Sequence, residues 1–200
     1  MTAATSDIRL RPLTAADSLE ALTALLHQSY ASLAAQGWNF TAVDQPVSLT
    51  AKRVSVGQCI VAEQEHVPET VSGNAPGRWR LVGTVMVRGP YRPGVDAWSL
   101  DAPCFTEAGT AILSQLAVHP DCRGKGLGER LMDAAEDWAR REGYTAVALD
   151  TAMPAMALRQ RYERRGYALL GDVQWEGKTY RSVLMRKALG HAPQAGAGQA

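Results

Sequence analysis

The hexapeptide Arg123-Gly124-Lys125-Gly126-Leu127-Gly128 limits what this chain can build more than any other stretch. It lies between a strand-like run, Ala111 to Val118, and an amphipathic helix pattern from about Leu127 to Glu142. Glycines at alternate positions permit a tight turn and let backbone N–H groups converge, with no Cβ to hold a ligand away. The helix that follows adds first-turn amides without intrahelical partners and roughly half a positive charge of macrodipole. Together these make a phosphate cradle. Arg123 and Lys125 place cations at its rim, so the expected guest carries more than one phosphate charge.

Spacing separates the common cradles. A nucleotide P-loop needs Ser or Thr directly after its lysine to hold magnesium, whereas Lys125 is followed by Gly126. The dinucleotide fingerprint needs a third glycine and a loop that begins directly after a strand. Glu129 stands at the glycine position and His119-Pro120-Asp121-Cys122 intervenes, although Asp150 supplies an acid of the right kind for a ribose. What remains is Arg/Gln-x-x-Gly-x-Gly/Ala, at Arg123, Gly126 and Gly128, after a strand ending Leu116-Ala117-Val118-His119-Pro120. This resembles the acyl-coenzyme A loop of the GNAT superfamily of N-acetyltransferases. The likeness continues in order through the last third of the chain. Thr145 to Asp150 reads as a buried strand and Ala155 to Arg165 as a short helix. Tyr162-Glu163-Arg164-Arg165-Gly166-Tyr167 looks like the Tyr-Glu-x-x-Gly-Phe/Tyr of that superfamily, and Tyr167–Trp175 with Lys178–Lys187 forms a hairpin pattern around Glu176-Gly177. Upstream of Ala111 the resemblance is one of topology alone.

The resemblance implies an α/β (α+β) fold of GNAT type. Its mixed, mostly antiparallel sheet of about seven strands is flanked by about four helices and splayed between the strand before and the strand after the loop helix. It implies a single acetyltransferase domain over 1–189, with 190–200 an Ala, Gly and Gln-rich tail expected to be disordered. Acetyl-coenzyme A is the implied co-substrate, with no metal. The backbone of Leu116, Ala117 and Val118 would pair with its pantetheine arm, and Arg123, Gly124, Lys125, Gly126, Leu127 and Gly128 would hold its phosphates. Tyr162 falls at the position of the general acid. A phenol with a reference pKa of about 10 can protonate a thiolate whose thiol titrates near 8.5 at a cost of roughly 2 kcal/mol. Packing against the sheet through Leu158, one helical turn earlier, is the competing role for Tyr162. Tyr30, Trp38 and Phe40 are the aromatic candidates for an acceptor wall. Two positions depart from the family pattern. Ile112-Leu113-Ser114-Gln115 carries no glutamate to act as a base, which leaves Glu107, Asp101 and Asp150 as candidates by type only, and Ala155, seven residues before Tyr162, stands where many relatives have an asparagine that bonds the pantetheine arm.

The implied activity is transfer of an acetyl group from acetyl-coenzyme A directly to a primary amine of a small molecule or peptide. The alternative is a catalytically weak acyl-coenzyme A sensor module, and a reductase using Asp150 is a weaker third reading. A homodimer is compatible with all of this.

Bulk properties agree with one domain built on one core. The chain has 200 residues and a net charge of +1, so no broad field attracts nucleic acid or an anionic membrane. Cys59, Cys104 and Cys122 are odd in number and irregularly spaced, which suggests neither a disulfide framework nor a zinc site. With no secretion-signal pattern after Met1 and no membrane-length apolar run, the expectation is a cytoplasmic protein. Cys122 next to Arg123 raises an acyl-cysteine route, against the plainer role of an unreactive loop cysteine. His119 reads as a strand-end residue, with no second ligand at metal spacing.

Upstream, Ile8 to Leu13 suggests a strand, and Thr14 an N-cap before a helix carrying Leu19, Leu22, Leu25 and Leu26. A second helical piece is expected from Ser29 to Ala35, and strands at Cys59–Ala62 and Arg80–Val87. His66–Gly77 reads as a long hairpin connection, and Gly89–Glu107 as an irregular segment covering one side of the cleft.

Overall fold

The computed structural model describes residues 7–66, 78–95 and 102–190. The expected tail, most of the long hairpin connection and Asp101 lie outside the described residues. Seven strands form one sheet: β1 (Ile8–Pro12), β2 (Gln58–His66), β3 (Arg78–Arg88), β4 (Thr110–Val118), β5 (Ala146–Ala152), β6 (Ala168–Val173) and β7 (Ser182–Ala188). Their order is β1-β2-β3-β4-β5-β7-β6, and every neighbouring pair is antiparallel except β4–β5. Four helices accompany it: α1 (Leu19–Ala34), α2 (Val47–Val54), α3 (Leu127–Arg141) and α4 (Met156–Arg164). This is the open mixed sheet with four helices expected from the sequence.

Strand periodicity sorts the core onto two faces. Ile60 and Ala62 of β2 pack in the cluster beneath α3, while Cys59 and Val61, one residue out of phase, pack with Leu22 of α1. Leu127, Leu131, Met132, Ala135 and Ala139 of α3 are almost fully buried, and the larger of these contribute roughly 1.5–3 kcal/mol each. That anchorage fixes the start of α3 against the sheet. Glu136 falls among the charged positions that helical spacing would turn to solvent, yet it is buried, at 2% exposure. It accepts from Tyr167 Oη (3.1 Å), Arg165 Nη2 (3.0 Å) and Lys187 Nζ (2.6 Å), which satisfies the charge it carries inside.

Three local expectations need correction. Thr14 does not cap α1, because its amide and hydroxyl both donate to Asp17 in a preceding turn; Ser18 is the cap and accepts from Ala21 N. Ser29–Ala35 is no separate piece but the second half of α1, which runs unbroken until Gly37 takes a left-handed φ of +84°. Finally, α2 was not foreseen at all.

Candidate functional site

The parallel pair β4–β5 carries the site. Its register holds only at Thr110↔Ala146, Ala111↔Val147 and Ile112↔Ala148. Beyond Ile112 the two strands part. The divergence has a local cause in β4: the register with β3 slips between Ala117 and Ser114, and Gln115 there has a φ of +50°, the one positive value outside glycine among the described residues. A bulge of this kind bends a strand away from its neighbour. Two buried side chains hold it, since Gln115 Nε2 donates to Gln45 Oε1 (2.6 Å) and Gln45 Nε2 donates to Thr50 Oγ1 (2.7 Å). Gln45 was missed by sequence reading, because a glutamine in a loop carries no sign of burial.

A cleft of about 450 Å³ opens in the gap. Its floor is Leu113–Val118 on one side and Leu149–Thr151 on the other, its mouth is the glycine loop, and Tyr162 stands within it. Of the expected acceptor residues, Tyr30 and Phe40 line it, with their rings edge to face at 5.5 Å. Trp38 does not; it packs instead with Ala152, Ala155 and Tyr180.

In the loop, Gly124 and Gly126 hold φ values of +75° and +77°, which side chains resist. Gly126 is also the N-cap of α3 and offers no side chain to the first-turn amides, so these stay free for a ligand. Gly128 differs. A Cβ there would meet Arg161 Nη1 at 3.6 Å and Val118 Cγ2 at 3.8 Å, ordinary contacts, so close packing does not demand glycine. Lys125 is exposed at the rim. Arg123 turns inward: its Nε donates to Val118 O (3.2 Å) and its Nη2 to Ser29 O (2.5 Å), stapling the loop to β4 and α1. On the β4 edge, Leu116 O accepts from Tyr30 Oη at 3.1 Å. A carbonyl has two lone pairs, so this edge can still accept from an extended amide chain.

Two titratable groups line the cleft together. Tyr162, on α4, is 4% exposed, lines the cleft, and its hydroxyl has no hydrogen-bond partner among the described residues. Burial pushes its pKa well above that of an ordinary phenol, so it stays protonated. Asp150, at the end of β5, accepts from Trp175 Nε1 at 2.9 Å. Crowding by the cleft walls raises its carboxyl above the ordinary carboxylate value, against the pull of that indole and of Arg53. Asp150 itself is exposed to solvent. Of the other acids considered, Glu107 is exposed and bonded to Arg186 (3.3 Å), away from the cleft lining. Cys122 lines the cleft but is buried and free, its Sγ 3.7 Å from Gln64 Oε1.

The far end of the cleft is strapped. Asn39 Nδ2 donates to Gly177 O (2.8 Å), Thr179 Oγ1 to Gly37 O (2.7 Å), and Lys178 Nζ to Asn39 O (2.8 Å) and Thr41 Oγ1 (2.9 Å), joining the α1–α2 loop to the β6–β7 hairpin. Phe40 packs on Tyr180 at 4.8 Å within the same seam. On the other flank, Phe105 stacks on Trp175 at 6.4 Å, the indole that holds Asp150, while no described residue of Gly89–Glu107 lines the cleft itself.

A parallel strand pair that parts over a glycine-capped helix start, with a buried phenol in the gap, resembles the cleft of N-acetyltransferases of the GNAT type. Residues 35–167 match the acetyltransferase (GNAT) family, and the chain belongs to it. It is 32% identical over 84 residues to an IAA acetyltransferase from Azospirillum brasilense; that match covers 42% of this chain and 55% of the other, so the chain spans about half the length of this curated relative. The crystal structure of the ribosomal-protein-S18-alanine N-acetyltransferase from Escherichia coli is similar with a TM-score of 0.63 at 13% identity, covering 94% of this chain and 98% of that one. PaiA N-acetyltransferase from Thermoplasma acidophilum, solved in complex with coenzyme A, gives a TM-score of 0.61 at 15% identity, covering 92% and 99%. At these identities the solved structures speak to the fold alone. Among the described residues no helix is long and apolar enough to cross a membrane.

Proposed function

We propose that the chain is an enzyme that transfers an acetyl group from acetyl-coenzyme A to a primary amine, acting as one catalytic unit over residues 1–189. The observation that carries this reading is the unpartnered Tyr162 hydroxyl in the cleft between β4 and β5 that Asp150 also lines. The free first-turn amides of α3 receive the phosphates, and the bulged edge at Leu116–Val118 receives the amide-bearing arm, which leads the thioester toward Tyr162. Asp150 accepts a proton from the incoming ammonium, since a free alkylamine of pKa near 10.4 is otherwise mostly protonated at pH 7, at a cost of about 4.6 kcal/mol. The amine nitrogen then attacks the thioester carbonyl, the new C–N bond forms, the nitrogen gives up its second proton to cleft water, and the C–S bond breaks. Tyr162 gives its proton to the departing thiolate and recovers one from solvent. Its raised pKa keeps the proton in place until sulfur charge develops, and makes the transfer costlier than for a free phenol.

The test is Tyr162→Phe, assayed by thiol release with a panel of amines. Turnover is expected to fall by about 10²-fold or more, with coenzyme affinity by calorimetry within about twofold of the parent. No amine-dependent thiol release by the unaltered protein would replace this reading with the coenzyme-sensing one.

A further inference from the structure

A chain of buried hydroxyls and amides runs from α1 to the cleft and can carry its hydrogens in one direction only. Thr23 Oγ1 lies 2.7 Å from Leu19 O and 2.8 Å from Thr50 Oγ1; Thr50 Oγ1 lies 2.7 Å from Gln45 Nε2, and Gln45 Oε1 lies 2.6 Å from Gln115 Nε2. Thr23, Thr50 and Gln45 are almost fully buried, so each contact must find its hydrogen within the chain. Leu19 O can only accept, which takes the single hydrogen of Thr23. Thr50 must then donate to Thr23 and accept from the Gln45 amide, which turns the Gln45 oxygen to Gln115. Rotating the Gln45 amide by half a turn would set its oxygen against that of Thr50, and rotating Gln115 would set two carbonyl oxygens together. His27 Nε2 donates to Gln45 O at 2.9 Å and holds the loop in place.

That direction decides what the cleft meets. Gln115 lines the cleft, and its Oε1 neither has a partner among the described residues nor is sealed from solvent. The chain therefore ends in a neutral oxygen that can only accept. Its place in the sheet matches that of Asp150. Ile112↔Ala148 is the last register pair of the seam; Gln115 follows three residues later on β4 and Asp150 two residues later on β5. Ala148 packs with Ile112, whereas Leu149 packs with the residues of α3, so alternation puts Asp150 on the sheet face away from α3. Gln115 is tied to the loop before α2 and through Thr50 to α1, on that same face, the one that Tyr30 and Phe40 wall.

We propose that Gln115 binds the acceptor nitrogen: its Oε1 holds the N–H that stays on the product amide, which turns the lone pair toward the thioester and selects primary amines over secondary ones. Of the three hydrogens of a primary ammonium, one passes to Asp150, one leaves to water as the C–N bond forms, and the third is the one that Gln115 keeps. A secondary amine ends with none to keep. Gln45 and Thr50 are positioning residues that act through Gln115. The inference rests on the acetyl-transfer reading.

The experiment compares thiol release with a primary amine and with its N-methyl derivative. The unaltered protein is expected to favour the primary amine by about tenfold or more in kcat/KM, and Gln115→Met, which keeps the length and loses the oxygen, to lower that value about tenfold for the primary amine alone. Coenzyme affinity by calorimetry should stay within about twofold. Thr50→Val lies outside the cleft lining and removes the hydroxyl that sets the direction; it should narrow the same ratio, Thr50→Ser should restore it, and Thr50→Val should add about nothing to Gln115→Met. Should Gln115→Met fail to fold, the Thr50 pair carries the test. Equal use of both amines by the parent, an equal loss for both in the variants, or coenzyme affinity falling in step with turnover overturns the proposal while leaving acetyl transfer intact. Absence of thiol release with every amine overturns the acetyl-transfer reading itself.

Discussion

Asp150 lies in the outer half of β5, where the parallel partner has already turned away, and the two states of its carboxyl have opposite consequences for stability and for chemistry. Its folded pKa is raised, so the folded protein holds a proton that the unfolded chain releases near pH 3.9. Stability contributed by this group is present below that value and declines as pH rises through the folded pKa. Base chemistry needs the ionised form, so activity should instead rise over the same interval. Asp150→Asn is therefore expected to be at least as stable as the parent at pH 7, while losing about 10²-fold in kcat/KM. The variant should recover above about pH 9, where the amine begins to deprotonate unaided. pH–rate profiles of both proteins, paired with denaturant melts, check the two signs together. Tyr162 was legible in the sequence because a motif and a helix phase fix its place. Asp150 was legible only as one acid among several by type, and Gln45 not at all, since each is a lone polar residue whose meaning depends on which other elements it meets.

The glycine loop and the helix it starts were legible as elements because their requirement is local. Left-handed φ values at Gly124 and Gly126 follow from turn chemistry, and the apolar face of α3 from helical spacing. The two upstream helices were less so: polar groups of Thr14 and Asp17 satisfy one another before α1 begins, and the eight residues of α2 include Ser, Thr, Lys and Arg, too short and polar a run to announce a face. The conformation of Gly126 also changes what its substitution tests. A Cβ there meets nothing within 4 Å, so the cost of Gly126→Ala is backbone strain alone, about 1–2 kcal/mol. A chain of this size should then lose roughly 2–8 °C in melting temperature. Gly171→Ala, also into open space but at an ordinary φ, is the control and should shift stability by no more than about 1 kcal/mol. Thermal melts without ligand check both; a Gly126→Ala protein as stable as the control would mean that the loop relaxes out of the left-handed turn.

Across the whole molecule, the sheet is two antiparallel blocks, β1–β4 and β5–β7, joined through three register pairs at the base of the β4–β5 seam. The overall GNAT topology could be anticipated from the order of the last elements, but the seam could not, because it arises from a bulge at Gln115 held by residues some seventy positions upstream. Above the seam, the blocks meet across an open cleft, so a ligand laid along it touches both. Binding to the folded state alone stabilises by about 2.7 kcal/mol at a concentration one hundred times the dissociation constant. For a chain of this size that corresponds to a rise of roughly 5–11 °C in melting temperature. The phosphate-bearing fragment 3′,5′-ADP, which reaches the loop but lacks the pantetheine arm, should raise the melting temperature through the cradle at its own saturating concentration without closing the seam. Hydrogen exchange separates the two ligands: coenzyme A should slow exchange at residues 113–118 and 149–151 as well as at 124–129, and the fragment at 124–129 alone. Equal protection patterns would show that the arm does not lie between the two blocks, and that the gap between β4 and β5 serves something other than the acyl donor.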